Sequence, residues 1–351
     1  MMKEILEKLV PPPAKITVGI NGFGRIGRAF MRIATQTKDI DVVAINDLGD
    51  VKNLAYLLKY DTAYKQPNFK VEATEGGIMV GRKKVKVMSE KDPASIPWKN
   101  LGVDVVVEST GVFESYEKAS GHLKGGARRV VITAPVKDEK GGATILVGVN
   151  ENKLSTCEVS SNASCTTNAG SPLIAILDET LGIEKALLST VHAYTATQSL
   201  VDSPVKGNDL RRGRAAAQNI VPSSTGAAVA TTKAYPSLSG LFDGIAIRVP
   251  VVTGSLVDIT FISKRDTTAE EVNLILENAS KEERWNGIFT ATREDFVSSD
   301  IIGMPYASIA DLAFTRVVGG NLIKVLAWYD NEMGYAHTLL RHVRQTAHHI
   351  H

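Results

Sequence analysis

The stretch KITVGINGFGRIGRAFMRIAT, residues 15–35, decides the fold. KITVGI is a short apolar, β-branched run that reads as a buried strand, and RIGRAFMRIAT has the amphipathic spacing of a helix. Between them Gly22, Gly24 and Gly27 form GxGxxG. Glycine at these places permits a tight turn, the close approach of a pyrophosphate and tight packing of helix on strand, while backbone amides and the helix dipole meet the phosphates. A second strand-like run, IDVVAI at 40–45, is followed by Asn46 and Asp47. Asp47 lies twenty residues after Gly27, where an acid accepts from the adenosine ribose hydroxyls and its charge opposes a 2′-phosphate. Strand, glycine turn, helix, strand and acid in this order predict a dinucleotide site that prefers NAD to NADP.

The same texture continues outward. VDVVVES (103–109), RRVVITA (128–134) and ATILVGV (143–149) are further apolar runs separated by helical stretches, the pattern of a parallel sheet covered on both faces. After Cys165 come longer strand-like runs: KALLSTVHAYTA (185–196), FDGIAIRVPVV (242–252), GSLVDITFIS (254–263), ASIADLAFT (307–315) and NLIKVLAWYD (321–330). Strands with few intervening helices predict a mostly antiparallel sheet in an α+β domain. A polar stretch from Thr195 to Thr225 reads as a long functional loop, and Met333 to Ala347 as a closing helix. Residues 1–14 read as a short helical appendage stopped by Pro11, Pro12 and Pro13, and not as a signal peptide, because Glu4 and Glu7 interrupt the apolar stretch. The chain has 351 residues, enough for about two domains. With 40 Lys plus Arg against 38 Asp plus Glu, bulk charge argues against a nucleic-acid binder, and no apolar run is long enough to span a membrane. Two cysteines are too few for a disulfide framework or a thiolate metal cage, and no metal is expected.

A thiol that matters here is a reactive one. Cys165 sits in SSNASCTTNAG (160–170), among small polar residues, whereas Cys157 has no such surround. Leu173, Ile176, Leu177 and Leu181 mark a helix ending near Gly182. If the helix begins near Cys165, its N-terminus favours the thiolate. Ser171 and Pro172 also make a good cap and first position, which would leave Cys165 in the preceding loop. Of seven histidines, His342, His348, His349 and His351 crowd the tail and read as exposed. His192 instead closes a β-branched strand beside Thr195 and Thr197, where it could deprotonate Cys165; a structural histidine is the competing reading.

GINGFGRIGR, SNASCTTN, TVHAYTATQ, PSSTGAA and WYDNEMGY, in this order, resemble the phosphorylating glyceraldehyde-3-phosphate dehydrogenase family, from about Lys15 to the last helix. The resemblance implies a cytoplasmic homotetramer of Rossmann and catalytic domains, divided as appendage 1–14, NAD-binding domain 15–164, catalytic domain 165–332 and a helix, 333–351, that packs back on the first domain. It implies that Cys165 is the nucleophile and His192 its base. With Gly22, Gly24 and Gly27, Arg25 and Ile26 would line the pyrophosphate, Asp47 the ribose, Lys91 the adenine and Asn331 the nicotinamide carboxamide, with Ser109, Thr110 and Thr133 along the cofactor. Thr195, Arg248 and one or both of Arg211 and Arg212 would bind the substrate phosphate, and Ser164, Thr166, Thr225 and Gly226 the attacking inorganic phosphate.

The implied reaction suits these residue types. A thiolate adds to the aldehyde of glyceraldehyde 3-phosphate, the adduct is oxidised to a thioester at the expense of NAD, and inorganic phosphate intercepts it as 1,3-bisphosphoglycerate. Two phosphate groups must then be held near one thiol, a task for arginines, hydroxyls and amides. The chain departs from the family pattern at Ala169, where a second cysteine is usual, in SPVKGNDLRRGR (203–214), about one residue long, and in its appendage. Two rivals are erythrose-4-phosphate dehydrogenase and a non-catalytic RNA-binding module; near-neutral charge and the presence of both Cys165 and His192 disfavour the second.

Overall fold

The computed structural model describes residues 15–205 and 208–350, so the reading of the appendage falls outside the described residues. The first half runs β1 (Ile16–Asn21), α1 (Arg25–Ala34), β2 (Ile40–Asn46), α2 (Val51–Lys59), β3 (Val71–Thr74), β4 (Gly77–Val80), β5 (Lys83–Met88), β6 (Val105–Glu108), α3 (Tyr116–Ala119), α4 (Gly121–Lys124), β7 (Arg129–Ile132), β8 (Ala143–Thr144) and β9 (Val159–Ser161). These strands form one sheet in the order β3-β4-β5-β2-β1-β6-β7-β9-β8. β1 pairs in parallel with β2 on one side and β6 on the other. That reversal of direction opens a crevice at the C-terminal strand ends, where Gly22, Asp47, Ser109 and Thr133 emerge.

The second half runs α5 (Cys165–Leu181), β10 (Ile183–Ala193), β11 (Val221–Ser224), α6 (Ala227–Ala234), β12 (Phe242–Val249), β13 (Ser255–Ser263), α7 (Ala269–Ala279), β14 (Phe289–Thr292), β15 (Ser308–Val318), β16 (Leu322–Tyr329) and α8 (Met333–Ala347). Its sheet, ordered β11-β12-β10-β13-β16-β15-β14, is antiparallel except at β10–β12 and β14–β15. The fold is therefore α/β: a Rossmann unit joined to an α+β unit with a mostly antiparallel sheet.

The two largest apolar cores each pack on one of these sheets. Leu173, Ile174 and Leu177 of α5 pack on Leu188, Ile259 and Val325 of the second sheet. Leu339, Leu340 and Val343 of α8 return to the first sheet beside Phe30 and Ile33 of α1. Each such side chain, fully buried, contributes roughly 1.5–3 kcal/mol. Arg344 of α8 fixes this return with two hydrogen bonds to Asp39, at 2.6 and 2.8 Å.

Two readings need correction, and one element has no counterpart in the sequence analysis. ATILVGV is a strand only at Ala143–Thr144; Ile145, Leu146 and Val147 lie beyond its end and are buried, so their apolar character serves packing rather than a longer strand. The meander β3–β5 escapes a periodicity reading because its strands are short and interrupted by charge. His342 is not exposed: it faces the interior from α8 at 0% exposure.

Candidate active site

Sequence rules left two starts for the helix after SSNAS, and the structure takes the earlier one. Ser164 is its N-cap, accepting from Thr167 N at 3.1 Å, and α5 runs through Pro172 without ending. Tertiary contacts hold this first turn where local propensity alone would not. Asn168 Nδ2 donates to Asn162 O and Ser164 O, at 2.7 and 2.9 Å, and Thr166 Oγ1 lies 3.0 Å from Tyr329 Oη in the core. Cys165 thus stands on the first residue of a helix. Its Sγ is 3.3 Å from His192 Nε2, at the end of β10.

The partners of His192 set its tautomer. Nδ1 lies 2.6 Å from Ala193 O and 2.8 Å from Arg248 Nη1, and it cannot donate to one while accepting from the other. Arg248 Nη1 also reaches Ala193 O at 3.1 Å, so we assign the ring proton to Nδ1, donating to that carbonyl. Nε2 then presents a lone pair to the thiol. Burial pushes His192 down to about 3, with Arg248 adding to the shift. Burial also pushes the Cys165 thiol up, against the opposing influence of Arg248, the Thr166 hydroxyl and helix-terminal amides. The direction is the reverse of that expected from a helix N-terminus alone, because the low-dielectric surroundings outweigh it. Both shifts act in the direction that favours a neutral thiol beside a neutral base.

The cleft around this pair has a volume of about 470 Å3 and is lined, among others, by Arg25, Ile26, Ser109, Thr110, Thr133, Ser164, Thr195, Arg212, Arg248 and Asn331. Arg248 is in register with His192 across the parallel pair β10–β12, which places both at one sheet end. Arg212 is held by Asp209 Oδ2 at 3.0 Å, Thr197 Oγ1 at 3.1 Å and Ser223 Oγ at 3.2 Å. Arg211 is exposed and outside this lining, so the geometry separates two arginines that the sequence could not.

The glycine turn is built for close approach. Gly22 has φ 91°, and a Cβ there would stand 2.6 Å from Thr110 N; a Cβ on Gly27 would stand 2.3 Å from Gly22 O. At Gly24 the same construction meets nothing within 4 Å, leaving open the space that a pyrophosphate needs. Asp47 accepts from Phe23 N at 2.6 Å and Gly49 N at 2.8 Å, tying the end of β2 to that turn. Asn331 Oδ1 takes Thr253 Oγ1, Gly254 N and Ser255 Oγ at 2.9–3.2 Å, which leaves its amide NH2 as the free face toward a carboxamide oxygen. These residues fit a nicotinamide dinucleotide.

The family models of the glyceraldehyde 3-phosphate dehydrogenase NAD binding domain and C-terminal domain match residues 16–116 and 164–331. The chain is 49% identical over 328 residues to glyceraldehyde-3-phosphate dehydrogenase of Streptomyces coelicolor, covering 93% of this chain and 96% of that one. It is 50% identical over 326 residues to the Thermotoga maritima enzyme of that name, covering 92% and 96%. The chain belongs to the glyceraldehyde-3-phosphate dehydrogenase family. It is an NAD-dependent enzyme of that family.

Not every residue carried over from the family motifs faces the cleft. Arg25 lines it, yet its guanidinium bridges Asp61, at 2.7 Å, and Glu332, so its charge is already answered and the backbone is what remains for a pyrophosphate. Thr166 turns its hydroxyl to Tyr329. Thr225 and Gly226 head α6 outside the lining residues, and Lys91 is exposed beyond β5, next to Glu90, whose backbone is pinned to Asn46. Sequence reasoning missed Glu108, 2% exposed at the end of β6, which accepts from Thr110 N at 2.9 Å and from His122 Nε2 at 2.9 Å. Trp98 Nε1 donates to His122 Nδ1 at 3.0 Å, which puts the ring proton on Nε2. An acid closing the apolar run VVVE was the available signal. Tyr335 also went unnoticed, although it lies four residues beyond Asn331, in the first turn of α8.

Proposed function

We propose that the chain catalyses the NAD-dependent oxidative phosphorylation of glyceraldehyde 3-phosphate to 1,3-bisphosphoglycerate, with Cys165 as nucleophile and His192 as base. The observation that carries this reading is the 3.3 Å Sγ–Nε2 contact in a cleft that Arg25 and Ile26, at the head of α1, line together with Arg212 and Arg248. His192 takes the thiol proton as Sγ adds to the aldehyde carbon and returns it to the oxygen, giving a thiohemiacetal. It then withdraws that hydroxyl proton as the adduct becomes a thioester on Sγ. NAD, when bound, supplies the two-electron acceptor for that oxidation. Attack by phosphate oxygen on the thioester carbon breaks the C–S bond, releases the acyl phosphate and leaves the thiolate for His192 to reprotonate.

Arg212, Arg248 and Thr195 hold the substrate phosphate in this reading, and Ser164 and the backbone of Thr166, with Thr225 and Gly226 from the head of α6, the attacking one. Gly22, Gly24, Gly27 and the backbone of Arg25 and Ile26 face the pyrophosphate, Asp47 the ribose, Lys91 the adenine and Asn331 the carboxamide, with Ser109, Thr110 and Thr133 as walls. We place the domain boundary between Ser164 and Cys165, with residues 333–350 joining the first domain, as the division into two cores supports.

Leu187, Ile245 and Leu322 lie on the outer face of the second sheet at 65%, 53% and 42% exposure, and these exposed apolar side chains support self-association, in this reading as a homotetramer. Among the described residues no helix is long and apolar enough to cross a membrane, which is compatible with a cytoplasmic enzyme. The test is NADH absorbance with glyceraldehyde 3-phosphate, with and without inorganic phosphate. Sustained turnover that requires phosphate and is lost in Cys165→Ser supports the reading. Phosphate-independent turnover, or a preference for erythrose 4-phosphate, overturns it.

A further inference from the structure

His342 on α8 carries two contacts that the reaction scheme leaves unused. Its Nδ1 lies 3.0 Å from Asn162 Oδ1 and its Nε2 2.8 Å from Ser160 Oγ. A neutral ring has one proton, so Nδ1–H donates to Asn162 and the Ser160 hydroxyl donates to Nε2. Two helical turns earlier, on the same face of α8, Tyr335 donates its hydroxyl to Ala163 O at 3.0 Å. Asn162 and Ala163 are the residues that lead into Ser164 and Cys165.

That lead-in is a strained turn. Ala163 has φ 53°, the left-handed region in which a Cβ crowds the following carbonyl. Such a residue persists only where its neighbours hold it. Ser161 Oγ accepts from Ala163 N at 3.0 Å, and Asn162 N donates to Ile132 O at 2.9 Å. Asn162 O accepts from Asn168 Nδ2 inside α5. The side chain of Asn162 is fully buried, and α8 supplies its contact through His342.

We infer that His342, braced by Ser160, is a positioning residue for the nucleophile: by fixing Asn162 it holds the Asn162–Ala163 turn and so sets Cys165 Sγ against His192. The inference rests on Cys165 being the nucleophile, and turnover by Cys165→Ser tests that separately. The geometry matters because a small displacement of a reacting atom is costly in rate, whereas the hydrogen bonds of His342 reach none of the residues proposed to bind NAD.

The experiment compares His342→Ala, His342→Asn and Ser160→Ala in the full chain. It measures kcat, KM for NAD, and the rate of iodoacetamide alkylation at Cys165 resolved by peptide mass, with Cys157 as internal control. His342→Ala lowers kcat and Cys165 alkylation together by about tenfold and leaves KM for NAD within about twofold. Cys157 alkylates at its usual rate. His342→Asn, whose amide keeps a donor near the Nδ1 position, recovers most of the loss, and Ser160→Ala loses about two- to threefold in both readouts. A folded His342→Ala enzyme with native kcat and native Cys165 alkylation overturns the inference. So does a loss confined to KM for NAD, or His342→Asn no better than His342→Ala. Should His342→Ala not fold, Ser160→Ala decides: native values in both readouts overturn the inference.

Discussion

His192 can take a proton from Cys165 only while its ring is neutral and the Nε2 lone pair faces Sγ, and burial and Ala193 O arrange both. His192→Asn keeps polarity but removes the base. Its kcat falls by about 10²–10³-fold, and Cys165 alkylation near pH 7 slows, as a stopped-flow and labelling series would measure. Alkylation at the native rate would mean that the 3.3 Å contact carries no proton. Asp47 presents a different balance, since the carboxylate proposed to take the ribose hydroxyls also holds Phe23 N. Asp47→Ala therefore raises KM for NAD by about tenfold, roughly one charge-assisted hydrogen bond, and changes NADP kinetics less, so the preference narrows. An unaltered NAD to NADP ratio in kcat/KM would contradict that role.

The head of α5 is the element on which the site turns. Ser164 caps it, and Ser164→Ala costs about 1 kcal/mol of stability, read from the urea midpoint at unchanged slope. A change within about 0.2 kcal/mol would show the cap to be idle. This element also marks the limit of what the sequence could tell. The glycine turn is legible because strand, glycines and helix are local and each residue type has one physical reason to be there. The start of α5 is not, because Ser171–Pro172 satisfies the same local rules as Ser164–Cys165. Asn168 and Tyr329, contacts made in three dimensions, choose between them. The pairings of Glu108 with His122, 14 residues apart in sequence, and of His342 with Asn162, 180 residues apart, were beyond any periodicity reading. The two arginines at 211 and 212 could be told apart only once Arg212 was seen to meet Thr197 and Ser223.

Across the whole molecule, His192 and His342 are buried and each is pushed from 6.5 down to about 3. A histidine held below its ordinary value leaves the unfolded chain binding more protons than the native one. Stability is therefore fully present above about 6.5 and is lost as pH falls toward 3, by up to about 1.4 kcal/mol per pH unit for each ring. Urea unfolding between pH 7 and 4 should show this decline, and a flat profile would contradict it. The two-sheet architecture brings a dinucleotide crevice and a cysteine–histidine pair to one cleft, and the central claim is that acyl transfer passes through Cys165. The most direct measurement is intact and peptide mass spectrometry of the enzyme mixed with NAD and glyceraldehyde 3-phosphate without inorganic phosphate. The account predicts a 3-phosphoglyceroyl thioester on Cys165 that disappears when phosphate is added; NADH formation with no acyl adduct, or with the adduct on another residue, would contradict it.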